Sequence, residues 1–220
     1  MTAITVTAVA VASTGLPRGE QGGQRSVLFI GDSFTAGATI DEAQAYPALI
    51  AHREGWRLHV DAQGGTGFIA DGQGTGNGDT SKLIDRIAQD GRMFPDVDLV
   101  VLDAGRNDLS FPANEVAEAM SQCLMAVRHQ WPDAKIATVV PSFLSPDSYD
   151  GYQTLVRRLA TASAAVGGVV IDPVAQRWYD SVDSTAMVSA DGVHPNADGS
   201  TYIGERLLTS LRDHGLAGAS

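Results

Sequence analysis

Cysteine is almost missing from this chain: Cys123 is the only one in 220 residues. An internal disulfide and a multi-cysteine zinc cluster are therefore excluded, and Cys123, set in the helical-looking stretch AEAMSQCLMAV, reads as a small buried hydrophobe. Positive charge is scarce as well. Lys and Arg number 15 against 26 Asp and Glu, for a formal net charge of −11, and no basic run interrupts that balance. A nucleic-acid partner is not expected, because affinity for phosphate backbones depends on clustered Lys and Arg. Long apolar runs are lacking too. The stretch from Ala3 to Ala12 is apolar and small, but no Lys or Arg precedes it and it is too short to span a bilayer, so stable membrane insertion is not expected. It reads as the remnant of an export signal, a frayed arm or a strand. The first reading favours a secreted or cell-envelope location, and the others leave a cytoplasmic one open. There is no repeat, and the one composition shift is the Gly/Pro-containing linker that ends at Gln24. The expected organisation is an arm or signal remnant plus linker over residues 1–24 and a single domain over 25–215. The oligomeric state is left open.

What the chain does have is alternation. SVLFI at 26–30, RLHVDA at 57–62, DVDLVVLDAG at 96–105, KIATVVPSF and GGVVID read as strands. Between and after them, QAYPALIAHREG, Ala113 to Gln130, Tyr149 to Val166 and Ala197 to His214 have helical spacing. Such alternation predicts a mostly parallel five-stranded sheet covered by helices on both faces, since parallel strands need crossovers and buried ones read as continuous apolar runs. Sites in that architecture lie beyond the carboxyl ends of the strands. Gly31-Asp32-Ser33 follows the first strand and Gly105-Arg106-Asn107-Asp108 the third, so both point to one rim.

Chemistry at that rim needs an activated group. A serine hydroxyl becomes a nucleophile when a neighbouring base takes its proton, and the base needs an acid to hold its tautomer. His194 is the one histidine in a loop rich in turn residues, with Asp191 three residues earlier and Pro195 after it favouring extended backbone. Asn196 can cap the final helix. His52, His59, His129 and His214 fall in helix- or strand-like segments and read as packing or surface residues. Acyl transfer also needs donors for an oxyanion. The Ser33 N–H, the amides of Gly64-Gly65-Thr66-Gly67 and the Asn107 side chain fall in order on successive rim loops.

Taken together, these four blocks resemble those of the SGNH hydrolases, the GDSL-type esterase and lipase superfamily, and they run from residue 31 to 195. The resemblance implies Ser33 as nucleophile, His194 as base and Asp191 as its orienter. It implies oxyanion donors at the Ser33 N–H, the Gly64 N–H and the Asn107 amide, and a flavodoxin-like three-layer α/β/α sandwich; no cofactor is expected, and no metal, since the chain offers no convincing metal-ligand cluster. Two departures stand out. Ala62 occupies a position where the family often has asparagine, which leaves Gly64 and Gly65 as alternative donors, with Gly64 preferred by spacing to Gly67. Arg106 replaces a small or hydroxylated residue and either contacts a polar or anionic substrate group or pairs with Asp103 or Asp108.

Other readings run alongside. Asp32 and Asp108, in tight turns, are expected to bond local backbone amides. Asp172 is an alternative acid for the triad, although Pro173 beside it favours a plain turn. Gly65 to Ala70 formally fits a dinucleotide fingerprint but runs into the glycine-rich stretch at Gly72 to Gly78 and opens no helix. Phe34, Phe68, Trp178 and Met187 flank the motifs as candidate acyl- or alcohol-pocket residues. The expected function is hydrolysis of small-molecule, glycan or lipid esters through an acyl-serine, with short acyl groups preferred because no long apolar lid segment is present. Two alternatives remain: acyl transfer to a sugar or other alcohol, and, in another class, a non-catalytic module binding phosphate at the helix N-terminus near Ser33.

Overall fold

The computed structural model describes residues 23–145 and 147–218. The expected arm or signal remnant lies outside the described residues, apart from the last two positions of the linker. Five parallel strands form one sheet in the order β2-β1-β3-β4-β5: β1 is Ser26–Gly31, β2 Arg57–Ala62, β3 Leu99–Asp103, β4 Lys135–Val139 and β5 Val169–Ile171. The central strands β1 and β3 are buried at every residue, which is why they read as unbroken apolar runs. The edge strand β2 mixes Arg57, His59 and Asp61 with Leu58 and Val60, as an edge facing water allows. β4 stops at Val139, short of Pro141, which has no N–H to add to a ladder.

Helices cover both faces. The short α1 (Ser33–Ala36), α2 (Tyr46–Glu54) and α6 (Ala197–Asp213) belong to one layer, whose core includes Phe29, Tyr46, Ile50, Val101, Leu207 and Leu211. α3 (Leu83–Met93), α4 (Ala113–Gln130) and α5 (Tyr152–Ala165) form the other, around Leu28, Leu102, Ile87, Met120, Leu124 and Leu159. The architecture is the α/β sandwich expected. Cys123 sits in this second core, and burial pushes its thiol up to about 12. α2 starts with Pro47 in its first turn and ends at left-handed Gly55, while the Asn196 side chain accepts from Gly199 N–H to open α6. Among the described residues no helix is long and apolar enough to cross a membrane.

One helix, α3, was not anticipated from sequence. Its inward face alternates Leu83 and Ile87 with buried Arg86 and Asp90, so the apolar stripe is broken by charge. The Arg86 guanidinium pairs with Asp61 at 3.0 Å and donates to the Gly31 carbonyl at 3.3 Å, bracing the end of β1 just before the serine turn.

Candidate active site

The turn after β1 leaves no freedom for bulk. A side chain on Gly31 would overlap the Thr35 hydroxyl and press on the Asp103 carbonyl. Asp32 then caps α1, accepting from Phe34 N–H at 3.0 Å, and Ser33 starts the helix, buried except for 8% of its surface.

The loop at 189–196 closes on it from the far side of the sequence. Ser189 N–H donates to the His194 carbonyl at 2.8 Å, Val188 and Pro195 form an antiparallel bridge, and Thr39 Oγ1 donates to the Pro195 carbonyl at 3.0 Å. Within that frame His194 Nε2 stands 2.8 Å from Ser33 Oγ, and His194 Nδ1 stands 2.6 Å from Asp191 Oδ2. The other oxygen, Asp191 Oδ1, accepts from the N–H groups of Val193 at 2.9 Å and His194 at 3.0 Å. The hydrogen bond from His194 comes first among the causes that hold the Asp191 carboxyl down to about 2, followed by these two amides. An ionised Asp191 fixes the proton on Nδ1 and turns the Nε2 lone pair toward the serine hydroxyl. Asp172, the alternative acid, is engaged elsewhere: it accepts from the Tyr152 hydroxyl and from Ala175 N–H.

Two further loops bring amides to the same rim. Asn107 Nδ2 donates one hydrogen to the Thr66 carbonyl at 2.9 Å, which fixes the carboxamide and leaves a second N–H on the same nitrogen. The N–H groups of Ser33 and Gly64 have no acceptor among the described residues. Asp108 clamps the glycine block from below, accepting from Phe68, Ile69 and Ala70 N–H at 2.7, 3.1 and 2.8 Å. Burial raises its carboxyl while these three donors pull it down. This is the backbone-binding role expected of Asp108, reached across some forty residues instead of within its own turn.

Of the alternatives offered for Arg106, the structure shows the pairing with Asp103. Arg106 does not pair with Asp108, and its fork has no side open to a ligand. Nη2 pairs with Asp103 at 2.8 Å, Nη1 with Asp32 at 3.3 Å, and Nε donates to the Ser142 carbonyl at 2.7 Å. Its carbon lies 4.2 Å above the Phe34 ring. Burial opposes the charge, but Asp103 and Asp32 outweigh it and hold the guanidinium protonated. For Asp32 the balance falls the other way, with burial raising the carboxyl more than Arg106 lowers it. Tyr46 and Thr35, which the sequence did not single out, complete this buried network. The Tyr46 hydroxyl donates to Asp103 Oδ2 at 2.6 Å, and Thr35 Oγ1 donates to the Asp103 carbonyl at 2.9 Å.

Among the aromatic candidates, Phe68 and Trp178 also turn inward. Phe68 packs in the α3–α5 core, and Trp178 packs in the α2–α6 core with its indole N–H on Gln176. Met187 is half-buried against that second core. Phe34 is buried too, yet its ring centroid lies 5.7 Å from that of His194 and 6.0 Å from that of Phe143. Phe143, unmarked in the sequence reading, stays 38% exposed, as does Val193 at 47%. Through Phe34, Phe143 gives the site an apolar flank beside His194.

Comparison with known proteins identifies the family and the fold. Residues 29–202 match the profile of the GDSL-like lipase/acylhydrolase family. The GDSL lipase Rv0518 of Mycobacterium tuberculosis (strain ATCC 25618 / H37Rv) is 30% identical over 195 residues, spanning 82% of this chain and 79% of that protein. Among solved structures, TesA superposes with a TM-score of 0.64 at 20% identity, over 86% of this chain and 99% of its own. Est24, a carbohydrate acetylesterase from Sinorhizobium meliloti, superposes with a TM-score of 0.63 at 16% identity, over 86% and 99%. The profile match and the lipase relative show that the chain belongs to the GDSL-like lipase/acylhydrolase family and is a carboxylic ester hydrolase.

Proposed function

We propose that the protein hydrolyses short-chain acyl esters, acetyl groups on carbohydrate among them, through an acyl-Ser33 intermediate. The observation that carries this reading is the unbroken chain Asp191–His194–Ser33 at 2.6 and 2.8 Å. His194 Nε2 takes the Ser33 proton as Oγ attacks the ester carbonyl carbon. The oxyanion is received by the N–H groups of Ser33 and Gly64 and the second N–H of Asn107. On collapse, the C–O bond to the alcohol breaks and Nε2 returns its proton to the departing oxygen. Water then repeats the sequence on the acyl-enzyme, giving the carboxylic acid and free serine.

Solvent access favours water over an alcohol as the second acceptor, since the His194 and Asp191 side chains are 25% and 41% exposed. The phosphate-binding alternative loses support because α1 has only four residues and the Asp32 carboxylate already occupies its N-terminus. A carbohydrate acetylesterase among the structures of the same fold is compatible with an acetylated sugar as substrate. The test is a p-nitrophenyl ester series from acetate upward, followed by acetylated sugars and labelling with a fluorophosphonate. Turnover falling with chain length and an adduct on Ser33 are expected. No turnover together with no adduct would refute the reading.

A further inference from the structure

The glycine-rich stretch from Gly72 to Gly78 is folded down onto the glycine block. Its ends are fastened: Ser81 N–H donates to Gln63 Oε1 at 3.0 Å, the Gln73 side chain donates to the Thr80 carbonyl, and Thr66 and Asp71 form an antiparallel bridge. Between those ends, two side chains press on the loop beneath. A methyl group on Gly65 would lie 2.8 Å from both Thr75 Oγ1 and Cγ2, and one on Gly64 would lie 2.9 Å from Asn77 Nδ2 and 3.2 Å from Asn77 Oδ1. Thr75 and Asn77 thus sit directly on the two glycines, and Gly65 in addition has the left-handed backbone (φ +77°) that favours glycine.

This places a carboxamide beside the reaction centre. By standard bond lengths Asn77 Nδ2 is within about 6 Å of the Gly64 nitrogen, and an oxyanion held by that nitrogen sits about 3 Å from it. The carboxamide therefore borders the oxyanion position on the Gly64 side, close enough for an alcohol arm the size of a sugar ring to reach it. The carboxamide is positioned and still has capacity: Nδ2 gives one hydrogen to Thr75 Oγ1 at 2.9 Å, and Thr75 Oγ1 in turn donates to the Gly72 carbonyl at 2.6 Å. A second N–H and Oδ1 remain, on a side chain exposed to solvent. Beside His194 the surroundings are apolar, with the Phe34 ring against the imidazole and Phe143 against Phe34. An ester has two arms; the apolar flank suits the acyl arm and the Asn77 flank suits a hydroxylated alcohol arm.

We propose that Asn77 is a specificity-determining residue that hydrogen-bonds a hydroxyl or ring oxygen of a sugar-like alcohol in the substrate. The assignment rests on the acyl-Ser33 reading above. It is tested by comparing kcat/KM for an acetylated monosaccharide with that for p-nitrophenyl acetate, whose aryl alcohol carries no hydroxyl beside the ester. Asn77→Leu keeps the branched shape on Gly64 and removes the hydrogen bonds; Asn77→Ala removes both. The sugar-to-aryl ratio should fall at least about threefold in each variant, the scale of one neutral hydrogen bond, chiefly through KM for the sugar ester and with an unfolding midpoint close to wild type. A smaller change in the ratio in both variants overturns the proposal. So does a wild-type protein that turns over p-nitrophenyl acetate and no acetylated sugar. If neither ester is turned over and the fluorophosphonate leaves Ser33 unmodified, it is the hydrolase reading that fails, and the Asn77 assignment falls with it.

Discussion

Arg106 offers the sharpest test of how the site is held, because one cation ties together the loops that carry Ser33 and Asn107. Its guanidinium is buried between Asp103 and Asp32, at 2.8 and 3.3 Å, with Nε on the Ser142 carbonyl. Arg106→Met keeps most of the volume and leaves two buried carboxylates without their cation. Removing one partner of such a pair costs about 3–5 kcal/mol, and in a domain of this size each kcal/mol moves Tm by about 2–4 °C, so Tm should drop by about 6–20 °C. The pH dependence separates lost charge from lost packing. Burial already raises Asp32 and Arg106 opposes it. Without Arg106 the folded-state pKa rises further above the unfolded one, so the native state binds the extra proton. A group shifted that way contributes stability at low pH that is lost as pH rises through its folded pKa. The deficit of the variant should therefore widen from pH 5 to pH 8 in thermal or urea unfolding. A Tm within about 2 °C of wild type at pH 8 would refute the reasoning, and a deficit independent of pH would assign the loss to packing alone. The same variant should lose kcat without a selective rise in KM for anionic esters, since Arg106 faces no ligand.

The remaining expectations concern the reacting groups. Ser33→Ala should lose at least about a thousandfold in kcat with the fold retained by circular dichroism, and should take no fluorophosphonate. Asn107→Ala should lower kcat by roughly 10²- to 10³-fold with little change in KM in steady-state assays; a change confined to KM would make it a binding residue instead. Asp191→Asn should cost up to about 10⁴-fold in kcat through the wrong imidazole tautomer, the magnitude of the serine-protease precedent. Because the Asp191 carboxyl is held down to about 2, it is ionised throughout pH 5 to pH 9, and an Asp191→Asn variant with wild-type kcat at pH 8 would contradict the assignment.

Most of the fold was legible because the central strands are buried on both faces and the helices beside them carry long apolar stripes. α4 was read to the residue, Ala113–Gln130. α3 escaped because two of its inward positions, Arg86 and Asp90, are charged and serve the end of β1 and the Asp61 side chain instead of the core. The start of α5 was placed three residues early, at Tyr149, whose hydroxyl bonds the Pro141 carbonyl from a loop. In the site, Asp191 and His194 were legible because the carboxylate and ring lie three residues apart in one turn, a spacing that sequence displays directly.

The supporting contacts were not legible, and the reason is distance along the chain. Asp32 meets Arg106 across 74 residues, Tyr46 meets Asp103 across 57, and Asp108 meets the 68–70 amides across about 40. Motif spacing carries no information about such pairs; only the strand order does, because β1 and β3 are neighbours and bring their following loops together. The physical division follows the same line. His194 and Asp191 lie near the surface, oriented by the hydrogen bonds of one braced turn and by the Phe34 ring beside the imidazole. The amides that would receive the oxyanion must hold their positions before charge develops, and they rest on carboxylates and a guanidinium out of solvent, where an ion pair lost on one side leaves an uncompensated charge on the other. Substitutions at Asp191 and His194 should therefore act on rate with little effect on folding, whereas substitutions at Asp32, Asp103, Arg106 and Asp108 should lower both together.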